Sequence, residues 1–200
     1  MTVSHKIRLG AIWPRAVLML SFGALSWLLM QLFHECGHLF AALVSGGTVM
    51  RVVLHPLAFS RTDVSPNPHP LFEVWAGPVA GIVLPVAAWR LFHCFKWPGE
   101  VFVRCFAGCC AVANGVYIAF GPATEGMDTQ LMLALGCARW QLAAFGASMI
   151  ALGLWLWNGT GAAFGIGPSA STVPQRTALL ALLVAIVVIV AELFVNAIAS

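Results

Sequence analysis

The chain has 200 residues, of which 60% are apolar and only 8% charged, with a net charge of +3. Soluble domains carry about 25% charged residues to face water, so a water-facing globule is excluded and a lipid bilayer takes the place of solvent. The few cations are scattered, which leaves no basic surface for a nucleic-acid partner.

The first apolar run covers about Arg15 to Val44. Lys6 and Arg8 ahead of it imitate a signal peptide, but the run is too long and lacks a clear cleavage site, so it reads as a permanent span. As a helix it would reach roughly 45 Å against a hydrocarbon core of about 30 Å, so it must tilt or leave the core. Ser45-Gly46-Gly47 ends it. Val49, Val52, Val53 and Leu54 then favour a short strand, and Pro66, Pro68 and Pro70 bar a helix before residue 70. Further apolar runs follow at about Leu71–Phe95, Val101–Phe120, Trp140–Trp157 and Arg176–Ala199, the last being the cleanest by hydropathy. Gly159 to Pro174 reads as a Gly/Ser/Thr-rich linker with scope to be mobile.

The expected fold is therefore all-α and polytopic: about five transmembrane helices, with a small β-hairpin or extended loop after the first. The length accommodates one membrane-embedded domain over 1–200, with a core at about 15–135 and C-terminal spans over 139–200. Cys36, Cys94, Cys105, Cys109, Cys110 and Cys137 lie in or beside apolar runs without paired loop spacing, and read as small filler in helix contacts. Lys6, Arg8, Arg15, Arg90, Lys96 and Arg176 gather at one side, and Arg51, Arg61 and Arg139 at the other. That bias predicts a cytoplasmic N-terminus and a multi-pass protein of the cell's inner or plasma membrane. Oligomeric state is not written in these features.

His34-Glu35-Cys36-Gly37-His38 is the strongest chemical signal. Residues four apart on a helix share a face, so both imidazoles can point at one metal ion, zinc by chemistry. Glu35 sits one step round, where it can take a proton from water as general base. A shuffle of this composition would produce the pattern in roughly one chain in two hundred. Its place inside an apolar span raises its weight, because ionisable groups there are costly and mark function by default.

Hydrolytic zinc usually takes three protein ligands, so one more is needed from Asp128, Glu125, His55, His69 and Glu192. The motif lies toward the distal end of the first span, and the third span ends on that side. Asp128 follows the third span directly and can reach the ion; its other role is to cap the helix after it. Glu125 in the same loop is the reserve. Asn114 in the third span fits either a substrate carbonyl or an interhelical hydrogen bond. Glu192 and Asn196 near the end of the last span are expected to snorkel.

An HExxH in the first core span, Trp75-Ala76-Gly77-Pro78 in the second, and Asn114 followed by Asp128 after the third together resemble the site-2 protease family of intramembrane zinc metalloproteases. The resemblance covers about Arg15 to Leu135, and of its motifs only HExxH is specific by itself. It implies zinc on His34, His38 and Asp128, catalysis by Glu35, a short β-element after the first span, and transmembrane protein substrates. The chain departs from the family's usual pattern in having Thr129 after Asp128 where glycine is common, and Gly81 where asparagine is common. Two other classes stay open: a non-catalytic metal-binding scaffold, and a small metal transporter with His34, Glu35 and His38 lining an ion path.

Overall fold

The computed structural model describes residues 2–57, 59–121, 128–168, 170 and 172–199. Helix α1 (Thr2–Val44) leads into a hairpin of β1 (Val49–Val53) and β2 (Arg61–Val64). Helices α2 (Pro70–Cys94), α3 (Glu100–Phe120), α4 (Asp128–Ala134), α5 (Arg139–Trp157) and α6 (Gln175–Ala199) follow. Five segments are long and apolar enough to cross a membrane: Ile12–Val44, Pro70–Cys94, Glu100–Phe120, Arg139–Trp157 and Gln175–Asn196. The expected multi-pass α-helical architecture with its small sheet is what forms, with α4 as an added short helix. Leu20, Phe40 and Phe194 turn outward with well over half of their surface exposed. A bilayer tolerates such side chains because its lipid tails are as apolar as they are, and each helix satisfies its own backbone polar groups.

The hairpin is antiparallel, with Arg51 opposite Asp63, Val52 opposite Thr62 and Val53 opposite Arg61. Met50 is the extra residue of a bulge between Val49 and Arg51. Pro70 stands at the start of α2, where its missing N–H has no helical partner to lose.

Small residues decide how closely the helices approach. Gly115 of α3 lies against the backbone of Gly146 in α5, and Gly108 against Gly153 and the Trp157 ring, leaving no room for a Cβ. Polar and aromatic contacts then fix direction. At one end, Trp75 of α2 meets Phe145 of α5 with ring centroids 5.2 Å apart. At the other, Trp89 meets Trp155 at 6.0 Å, and Arg104 Nη2 donates to the Asn158 carbonyl at 2.8 Å. Helices α2, α3 and α5 therefore alternate in direction, while α6 packs along α1.

Two side chains of the Gly159–Pro174 stretch, expected to have scope to be mobile, are packed into the core. A 3-10 turn at Gly161–Phe164 buries Phe164, which joins Leu18, Val173 and Ala178 in one apolar cluster. The Gly-rich composition of the stretch hid these two side chains and the apolar surface they bury.

Candidate metal centre

The distal half of α1 carries two polar stripes. His34 and His38, four residues apart, face α2 and α3; their ring centroids are 4.8 Å apart. Trp27, Gln31 and Glu35, also spaced by four, face the hairpin and the loop before β2. One residue of helix separates the stripes, a rotation of about 100°.

Close approach of α1 to α2 depends on glycine at two positions. Gly37 sits against the backbone of Ala76, and Gly77 lies flat against the His38 imidazole. A side chain at either would drive the helices apart.

Both histidines are held from behind. Nδ1 of His34 lies 2.9 Å from Asn114 Oδ1, whose amide nitrogen donates to the Cys110 carbonyl at 2.9 Å. Nδ1 of His38 lies 3.0 Å from the Glu73 carbonyl oxygen and 2.9 Å from Glu73 Oε1. These partners are acceptors, so each Nδ1 carries a proton and donates it. In the neutral rings each Nε2 is then left with a lone pair.

Those lone pairs converge on a third. Asp128 Oδ2 lies 3.0 Å from His34 Nε2 and 3.4 Å from His38 Nε2, and one ligand atom from each residue falls within 4.8 Å of the others. Acceptors facing an acceptor repel unless protons or a cation lie between them. Two atoms bonded to one tetrahedral zinc at about 2.0–2.1 Å stand about 3.3 Å apart. The residues present therefore fit a divalent metal by donor type, spacing and orientation, with backing groups of the kind that tune metal ligands. Among the described residues this is the one group of three or more such side chains placed to hold an ion.

Asp128 opens α4, and its backbone N–H donates to the Tyr117 hydroxyl at 3.1 Å. The Tyr117 ring stands edge-on to His34 at 5.6 Å, so one side chain braces two of the three ligands.

Glu35 is 4% exposed and takes no part in the cluster. Its oxygens accept from Ser60 Oγ and Thr62 Oγ1, each at 2.7 Å. Asn114, 1% exposed, is engaged with His34 and its own helix, which makes it a support for a ligand rather than a group open to substrate.

The other ligand candidates lie elsewhere. His55 accepts from the Leu57 N–H, His69 is exposed before α2, and neither joins the cluster. Glu125 lies outside the described residues. Glu192, on α6, is 7% exposed and does not join the cluster.

Sequence reasoning did not find Glu73, Tyr117, Ser60 and Thr62. Glu73 had a signal, being an acid inside the first turn of an apolar span. The two hydroxyls had none, because a Ser and a Thr near the membrane surface look like any loop.

No protein-family model matches the chain. Neither a curated protein nor a solved structure matches it. The functional reading therefore stands on the site's own chemistry.

Proposed function

We propose that the chain is an intramembrane zinc metalloprotease that hydrolyses a peptide bond of a membrane-anchored protein substrate, as the resemblance to site-2 proteases implies. The observation that carries this reading is the convergence of His34 Nε2, His38 Nε2 and Asp128 Oδ2 in a largely buried site, with Glu35 one residue along the same helix. Zinc, when bound, supplies Lewis acidity toward water and the peptide carbonyl. His34, His38 and Asp128 would hold it through three protein atoms, leaving a position open as hydrolytic sites require. Glu73 and Asn114 keep the imidazoles aimed inward. Glu35 takes a proton from the attacking water and returns it to the leaving amine.

The carbonyls of a substrate helix are occupied by its own hydrogen bonds, so the scissile segment must be presented unwound. The sheet has two strands, so an extended segment can add to an outer edge. The lipid bilayer is both solvent and substrate depot, in the inner or plasma membrane of the cell.

Metal analysis of the purified full chain, paired with cleavage of a model transmembrane substrate, tests the reading. Wild type and Glu35→Gln should each retain about one zinc per chain, and only wild type should cleave. Bound zinc with no cleavage by wild type favours the non-catalytic scaffold. Zinc flux into liposomes favours the transporter.

A further inference from the structure

A glutamate on a helix face has three side-chain torsions, and nothing in α1 itself fixes where the Glu35 carboxylate points. The chain between the strands, with β2, supplies that constraint. Trp27 Nε1 donates to the Pro56 carbonyl at 3.1 Å, and the Trp27 ring meets Phe59 edge-on at 5.7 Å. One turn on, the Ser60 N–H donates to Gln31 Oε1 at 2.7 Å. One turn further, Ser60 Oγ donates to Glu35 Oε1 and Thr62 Oγ1 to Glu35 Oε2, each at 2.7 Å. Pro56, Phe59, Ser60 and Thr62 thus lie along the Trp27–Gln31–Glu35 stripe, the last two on the base.

Two features separate this from ordinary packing. Each carboxylate oxygen receives its own hydroxyl, which fixes the plane of the group; a single bond would leave its last torsion free. Both distances are ordinary for a hydroxyl donating to a carboxyl oxygen. The position of Thr62 is also set by the sheet, where it pairs with Val52. A slip of one residue would turn its hydroxyl to the other face. Each oxygen keeps a further lone pair, so Glu35 remains able to accept a proton.

We infer that Ser60 and Thr62 are positioning residues for Glu35, so that β2 and the residue before it, and not α1 alone, set the orientation of the general base. This rests on the hydrolytic reading above and adds a mechanical consequence to it. Whatever displaces the hairpin misaligns the base without touching the metal ligands.

The test uses the full chain in detergent, with Ser60→Ala/Thr62→Val, the conservative pair Ser60→Thr and Thr62→Ser, and Glu35→Ala. The double variant should lose roughly a hundred-fold in kcat, the scale expected for a misplaced catalytic group. Its KM and zinc content should be unchanged, and the conservative variants should stay near wild type. Independently of activity, hydrogen–deuterium exchange over residues 49–64 should quicken in Glu35→Ala as it does in the double variant. An unchanged kcat, a loss matched by lost zinc, or a hairpin whose exchange ignores Glu35→Ala overturns the inference. Should the double variant not fold, Thr62→Val alone and the exchange of Glu35→Ala decide. If wild type does not cleave, the proposed function fails, and the exchange comparison still decides whether the hairpin and Glu35 are coupled.

Discussion

The two ends of the helix bundle handle their polar groups in opposite ways. Where α2 ends and α3 begins, donors meet acceptors: Trp89 Nε1 donates to Glu100, His93 Nδ1 lies 3.6 Å from the same carboxylate, and Arg104 donates to the Asn158 carbonyl. There each named acceptor faces a donor, although Arg104 Nε has no partner of its own. At the distal end, two imidazole lone pairs and a carboxylate converge, and the groups behind them hold them in that conflict. Polar groups that pair donor with acceptor support a fold; acceptors brought together as these are need protons or a cation between them, and could hold a metal ion.

The largest effects should therefore come from the distal end. Asp128→Ala or His38→Ala should abolish stoichiometric zinc, read by elemental analysis of the purified chain. Full zinc in either variant would break the contrast outright. Next, Glu35→Gln should lower cleavage by at least about a hundred-fold with zinc retained, since general acid–base catalysis is typically worth that much or more. A cleavage rate near wild type would remove Glu35 from the chemistry.

Smaller effects sharpen the comparison. Glu73→Ala should weaken zinc affinity about ten- to hundred-fold, the usual consequence of losing a group behind a ligand. The loss should be partial, because the Glu73 backbone carbonyl still accepts from His38; competition with a chelator would measure it. Smallest of all should be Glu100→Gln at the opposite end. It keeps an acceptor for Trp89, and zinc content and cleavage should match wild type. If Glu100→Gln stripped the metal, the two ends would not be independent and the contrast would be wrong.

Much of the architecture was legible from hydropathy alone, because a chain with so few charges and five long apolar runs has one way to keep its backbone satisfied in lipid. The His34/His38 pair was legible too, since spacing of four on a helix places both rings on one face whatever surrounds them. Asp128 was favoured by chain order, and among the described residues it alone of the five candidates is brought to His34 and His38, where α4 begins beside α1. Composition gave no sign of the packing after α5, where Phe164 and Val173 of a Gly-rich stretch join the core.

What belongs to the sequence by itself is the local part: the five apolar spans, a short β element or extended loop after the first, and the facing of His34 and His38 along α1; the extension of α1 back to Thr2 and the short α4 were not legible. Tertiary structure decided everything that needs two elements to meet. It brought Glu73 and Asn114 behind the imidazoles, Gly77 flat against His38, and Ser60 and Thr62 onto Glu35. The reason is physical: periodicity records which way a side chain points from its own helix, while the partner it meets depends on how closely two backbones approach. In this chain, glycines such as Gly37 and Gly77 set that approach.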